Sequence, residues 1–421
     1  MKILIDNSGY ELKNHGDLAM LVVIASRFHQ RYPDAQIQIL TVNPTRLKEI
    51  IPYAIPIDID GRKLWSYAWN IIGAVHKIFP LSMHYWLQQQ EALFKIKYSN
   101  ISRRWIERRL RQRNYKVEQM SAFLDVVQQA DIVIASGGGY ITDSFEGLAC
   151  NVLQTLALAQ SYHKPTAMFG QGLGPVDSKK ISFWAGQVLP KLHSLSLREG
   201  IYSKKFALES GRELEEIKVT GDDAIGLAYS MKPKNLGRKI GVNLRLASYS
   251  GVGNEALERF SFILEEVGKR IGAELCAVPI SFHEGDSDYS SLQKILTSKQ
   301  IKNREQLDTP EKIIQQVGEC RIVVTGSYHA GVFALSQGVS VVAIVASNYY
   351  RHKFDGLAQQ FEVGCQVVDR MAINFNDDLK TAIYKAWEDA DLMRPSLLEK
   401  AIEQVSLSEE VFNKFADICH K

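Results

Sequence analysis

The sequence predicts an α/β protein built from two doubly wound parallel sheets that face a shared cleft. Three observations predict it. Short β-branched runs alternate with longer segments of helical period, the pattern of βαβ units around a parallel sheet. A chain of 421 residues exceeds the roughly 250 to 300 residues at which a single core stops growing. Near its middle, Met231 to Lys239 (MKPKNLGRK) gathers Pro, Gly, Asn and Lys, the composition of a linker. The expected domains are therefore residues 1–232 and 238–421.

The elements follow in order. KILIDN (Lys2 to Asn7) reads as a strand, Asp17 as the N-cap of a helix through LAMLVVIASRFHQRY, and IQILTVN as the next strand. A basic, aromatic insertion over about residues 61–119 interrupts the alternation. It resumes with ADIVIASGGGYITD, PTAMFGQGLGP, HSLSLREG and IKVTGDD, each an apolar run that empties into Gly, Asp, Arg or Ser at a strand end. Beyond the linker come strand KIGVNLR, a helix near Asn254 to Gly272, strand AELCAVPI and a helix capped by Thr309 with Pro310 at its first position. Strand RIVVTG, a helix carrying His329, strand VSVVAIV and a helical remainder from about Asn376 complete the series. Such domains, Rossmann-like in pattern, bind ligands at the carboxyl ends of their strands. The C-terminal helices are expected to cross back between the domains.

Composition narrows the function. With 46% hydrophobic and 23% charged residues the chain is a well-folded globular protein. A net charge of +3 gives no reason to expect nucleic acid. Residues 61–119 nevertheless hold twelve Lys/Arg against three Glu, so this segment carries about +9. Four of the six Trp also fall there, which suits either an interfacial helix or a solvated face with buried tryptophans. The five Cys form no CxxC pair, which points to reduced thiols in the cytoplasm and to no zinc site. The N-terminus lacks signal-peptide features, so the mature chain is expected to begin at Met1. No run of about 18 apolar residues spans a membrane.

Candidate chemistry sits at the strand ends. SGGGYITD (Gly137, Gly138, Gly139) and FGQGLGP (Gly170, Gln171, Gly172, Gly174) offer backbone N–H groups to an anion, or simply make tight turns. Neither has G-x-G-x-x-G spacing, which argues against a dinucleotide-dependent dehydrogenase. Arg198 and Arg245 each end an apolar strand, placed for bidentate capture of a carboxylate or phosphate, or for a salt bridge with Glu199, Asp222 or Asp223. His329 opens a helix. There a phosphate ligand would keep it protonated and fit it as a general acid; a core histidine bonded to a carbonyl is the alternative.

The order of NHGDLAM, ASGGGYITD, GQGLGP, SLREGIYS, TGDDAIGLA, GVNLR, VPISFHEGDSD and YHAGVFALSQGVSVVAI resembles the polysaccharide pyruvyl transferase family from about Asn14 to Ile344. The resemblance implies a GT-B-like fold and transfer of the pyruvyl unit of phosphoenolpyruvate onto a saccharide, or its lipid-linked precursor, as a ketal. It implies that Arg198 binds phosphoenolpyruvate and that His329 is the acid. It implies a contact at Ser203 as well. Asn14, Asp17, Ser327 and Tyr328 join the glycine loops with Gln171 and Arg245 as expected substrate contacts, as does Asp222, which could accept a proton or simply cap a helix. No metal and no cofactor apart from the donor substrate are expected. One departure matters: Ser327 stands where the family often has arginine, so either another cation substitutes, with Arg245 and Arg351 as candidates, or the donor or the reaction differs. A nucleotide-sugar glycosyltransferase and a silent sugar-binding relative are the competing expectations.

Overall fold

The protein is described from a computed structural model that covers residues 1–7, 9–67, 81–244, 254–283, 287–302 and 304–419. Two parallel sheets organise it. The first contains β1 (Lys2–Asp6), β2 (Gln36–Thr41), β3 (Ile55–Asp58), β4 (Ile132–Ala135), β5 (Gly138–Ile141), β6 (Thr166–Leu173), β7 (Ser194–Leu197) and β8 (Ile217–Val219). Its order is β3-β2-β1-β4-β6-β7-β8, with β5 added on β6. The second contains β9 (Lys239–Asn243), β10 (Leu275–Ala277), β11 (Cys320–Thr325), β12 (Ser340–Val345) and β13 (Cys365–Asp369), in the order β10-β9-β11-β12-β13. Helices cover both faces of each sheet, which is why strands such as Ile132–Ala135 and Ser340–Val345 are buried throughout rather than alternating.

The strand order reverses beside β1 in one sheet and beside β9 in the other. Both switch points open toward the same cleft, so the strand ends singled out in the sequence meet there.

Helix His15–Arg31 joins the two halves. One face places Leu18, Leu21, Ile24 and Phe28 in the first sheet's core, while Ala19 and Met20 belong to the core of the second. A helix apolar on both sides is buried on both sides. Its cap is Asn14, whose carboxamide oxygen accepts from the N–H groups of Gly16 and Asp17, at 3.0 and 3.2 Å. Asp17, expected as the cap, instead lies in the first turn, where its charge favours the helix dipole. Thr309 and Pro310 occupy the cap and first position of Pro310–Val317, as read from the sequence.

The helical remainder is one helix, Phe375–Cys419, with Pro395 inside it. Its first part packs on β11, β12 and β13. Its last turns return to the first sheet, where Phe412 meets Phe28 edge-on at 5.0 Å and Phe415 meets Phe169 at 5.6 Å. Residues 1–230 thus complete their core with residues from the far end of the chain.

The insertion forms helices Asp60–Tyr67, Leu81–Lys97, Ser99–Gln112 and leads into Glu118–Gln129. Trp65 is buried, Trp86 and Trp105 are exposed, and Trp69 lies outside the described residues. Glu107 accepts from Arg103 Nε at 3.0 Å, one turn before it.

Candidate functional site

The cleft between the sheets has a volume of about 500 Å³. Asn14, Asp17, Gly139, Arg198, Ser327, Tyr328 and His329 line it, and all seven were marked from the sequence. At its floor stands Arg198, first residue after β7 and 4% exposed. Its guanidinium lies over the Tyr328 ring, 4.3 Å from the centroid, and its Nη1 is 3.9 Å from Asp222 Oδ2. A stacked, buried guanidinium is held in one plane and keeps its charge.

Two glycines make room for it. A Cβ on Gly172 would lie 2.6 Å from Arg198 Cζ, and one on Gly139 would collide with Arg198 Nη2. The glycine loops therefore do not form the open anion cradle expected of them. Gly138 pairs with Gln171 in the sheet, Gly174 donates its N–H to Ile141 at 2.7 Å, and Gly137 packs against Met20 and the Gly170 carbonyl. Gln171 donates to the Ser136 carbonyl at 2.6 Å and to Tyr140 at 2.9 Å, behind the cleft wall. Ser203 accepts from Leu173 N–H at 2.8 Å and fixes the end of β6. Gly137, Gly138, Gln171, Gly174 and Ser203 are framework; they do not line the cleft.

His329 faces Arg198 from the second half. It is the second residue of helix Tyr328–Ser336, and its Nε2 lies 3.7 Å from Asp222 Oδ2. Asp222 is buried and its Oδ1 accepts from Ala224 N–H at 2.9 Å. Burial opposes its ionisation, but His329, Arg198 and that N–H outweigh burial and hold the carboxyl below its ordinary value. The arrangement is a carboxylate shared by an imidazole and a guanidinium. Gly16, which the sequence reading passed over, is what lets the halves meet here: a Cβ on it would land on the His329 imidazole. The approach is pinned by Asn14 bridging Ser281 and by His15 N–H bonding Ile280 O at 2.9 Å.

A second cation also lines the cleft. Lys353, inside helix Asn348–Phe361, places Nζ 3.0 Å from the point where a Gly139 Cβ would be, beside Arg198. Its amine donates to Tyr349 Oη, which in turn donates to the Gly139 carbonyl at 3.2 Å. Arg351, expected to stand in for an arginine at 327, instead pairs with Asp369 and is not among the lining residues. Arg245 lies outside the described residues. Ser327 is the N-cap by position, its N–H bonded to Thr325 Oγ1 at 2.8 Å.

The opposite wall comes from the first sheet. Tyr10, Ile59 and Lys63 line it, backed by a buried network in which Arg62 donates to Asp6 at 2.9 Å and to Tyr10 at 2.8 Å, and Tyr10 donates to Asp6 at 2.6 Å. Among the described residues, no group of three or more His, Cys, Asp or Glu is placed to hold a metal ion.

The family model for polysaccharide pyruvyl transferase matches residues 14–348. The chain belongs to the polysaccharide pyruvyl transferase family. That span includes Arg198, Asp222 and His329; Lys353 lies just beyond it. No curated protein matches the chain. Among solved structures, the S. aureus MnaA–UDP co-structure shares 13% identity over 98% of this chain and 95% of that one, at a TM-score of 0.56. Arabidopsis thaliana UGT89C1 complexed with quercetin shares 9% over 99% of both chains, at a TM-score of 0.54. The UDP-GlcNAc 2-epimerase from Neisseria meningitidis bound to UDP-GlcNAc shares 11%, covering 97% of this chain and all of that one (100%), at 0.52. These likenesses establish a GT-B-like fold for this member of the pyruvyl transferase family.

Proposed function

We propose that the protein transfers the pyruvyl unit of phosphoenolpyruvate onto a saccharide as a ketal, in cell-surface polysaccharide synthesis. The observation that carries this reading is the convergence of two cations, Arg198 and Lys353, beside the His329–Asp222 pair at the cleft floor. Phosphoenolpyruvate carries a carboxylate and a phosphate on one carbon, and two neighbouring cations fit that charge. Lys353 supplies the charge that Ser327 does not.

In the reaction, His329 protonates the methylene carbon of the donor and leaves an oxocarbenium-like centre at the neighbouring carbon. Asp222 stabilises the imidazolium beforehand and orients the ring. A saccharide hydroxyl adds to that carbon and gives up its proton, restoring His329. The bond to the phosphate oxygen then breaks, and a second hydroxyl adds and closes the ketal; its proton leaves with the phosphate. The saccharide lies against the Tyr10 and Lys63 wall. Phosphoenolpyruvate is a cytoplasmic metabolite, which places the reaction in the cytoplasm.

The test is thermal unfolding with phosphoenolpyruvate, since a ligand at 100 times its Kd adds about 2.7 kcal/mol to native stability. The expected result is an upward shift in the wild type that Arg198→Ala cuts by about half or more. A shift from UDP-sugars with none from phosphoenolpyruvate would replace this reading with glycosyl transfer, the alternative that the UDP-bound fold relatives favour.

A further inference from the structure

The solvent face of the helical insertion is unusual. Surface helices normally turn apolar residues inward and leave polar ones outside. Helix Ser99–Gln112 does bury Ser102, Ile106 and Leu110, but its outer face carries Ile101 and Trp105, 55% and 58% exposed. Helix Leu81–Lys97 does the same with Met83, Trp86 and Phe94, spaced so that they share one side of the helix. Trp86 is 56% exposed.

The charge beside these residues has one sign. Arg104, Arg108 and Arg111, at spacings of four and three, run along the same side of Ser99–Gln112 as Ile101 and Trp105, and all three are exposed. Lys97, Arg113 and Lys116 extend the basic surface at either end. The carboxylates in residues 81–117 are turned away: Glu91 is buried, and Glu107 is half-buried and accepts from Arg103 and Ser121. Exposed charge over residues 83–117 is therefore wholly positive among the described residues.

We infer that this face docks on an anionic lipid surface. Apolar and aromatic side chains ringed by long cations, which keep their charge in water while their stems follow the apolar boundary, match a headgroup layer over acyl chains. A two-fold contact between copies would set this face against itself and bring like charges together. No helix of the described residues is long and apolar enough to cross a membrane, so the contact is interfacial.

The position gives the docking a use. Helix Leu81–Lys97 packs on Glu146–Ser161, and Phe145 and Leu148 at the start of that segment line the cleft, as does Lys63 from Asp60–Tyr67. The lipid surface would lie beside the saccharide wall, where a lipid-linked acceptor enters; this consequence, unlike the docking itself, rests on the pyruvyl-transfer reading.

Co-sedimentation with vesicles tests it without donor or acceptor. Vesicles of phosphatidylglycerol and phosphatidylcholine in about equal parts should bind the protein at least about tenfold better than phosphatidylcholine alone, with a loss at high salt. The triple variant Arg104→Glu, Arg108→Glu, Arg111→Glu should lose that preference, and Trp86→Ser with Trp105→Ser should weaken binding several-fold, both with unfolding midpoints like the wild type. Equal binding to both vesicles, no binding, or variants that bind normally would overturn the inference. So would a wild-type dimer that these variants dissolve. The phosphoenolpyruvate shift, measured on the same samples without vesicles, reports separately on the donor reading.

Discussion

The molecule holds its cations in two ways. Arg198 and Arg62 are buried, 4% and 3% exposed, each stacked on a tyrosine ring and paired with a buried aspartate. Arg104, Arg108 and Arg111 stand in solvent on the insertion. The first pair is fixed in direction by its surroundings, so it can discriminate a ligand by shape; the second set is free to turn and is screened by salt, so it recognises a surface by charge alone. One protein thus uses the same side chain for selection and for address.

The largest effect that would break this comparison is on Arg62. Replacing it with Ala strands Asp6 in the core, and urea unfolding should show a loss of about 3 to 5 kcal/mol. A loss below about 1 kcal/mol would show that water reaches Asp6 and that the two classes are not distinct. Next comes Arg198→Ala, which should weaken phosphoenolpyruvate by about 1.5 to 3 kcal/mol, or roughly ten- to a hundredfold, in a titration. Gly172→Ala sharpens the point, because it keeps the charge and only moves the guanidinium. A similar weakening there assigns the effect to position; unchanged binding would make Arg198 a mere point charge.

A third test uses Lys95, whose amine is buried, lies 4.5 Å from the Trp65 ring centroid and donates to the Trp65 carbonyl. Burial pushes it down to about 7, with Glu91 opposing. Between about 7 and the ordinary 10.5, the unfolded chain holds a proton that the native state lacks. Stability should therefore rise with pH across that window, by up to about 1.4 kcal/mol per unit, and be insensitive to this group below it. Lys95→Met should flatten the rise in a pH series of urea unfolding curves; an unaltered slope would place the source elsewhere. The smallest effect belongs to the exposed class: Arg108→Ala should change stability by less than about 0.5 kcal/mol.

The parallel sheets were legible because a strand buried on both faces reads as an unbroken apolar run, Arg198 because it follows such a run directly, and His329 because it opens the helix after one. What the sequence concealed depends on approach in space. Gly16 has no local signature; its role exists only because an imidazole 313 positions away rests on it, as the numbering of Gly16 and His329 shows. Lys353 sits within a helix rather than at a strand end, so nothing near it marks a cleft residue. The glycine loops misled in a specific way: their N–H groups serve the sheet, and their lack of side chains serves the guanidinium. Asn14 rather than Asp17 caps its helix because the helix begins three residues earlier than the apolar pattern does, at His15 rather than Leu18.

The long helix Phe375–Cys419 sets an order on the protein's making. Phe412, Phe415 and Ala416 are part of the same core as Phe28 and Ile39, and Tyr32 donates to Ala416 O across 384 positions. Residues around Phe28 and Ile39 leave the ribosome long before Phe412, so their interior cannot close until that later segment has been translated. During synthesis their apolar face waits for a partner that does not yet exist, and a chain released before Phe412 would lack both halves' common clasp.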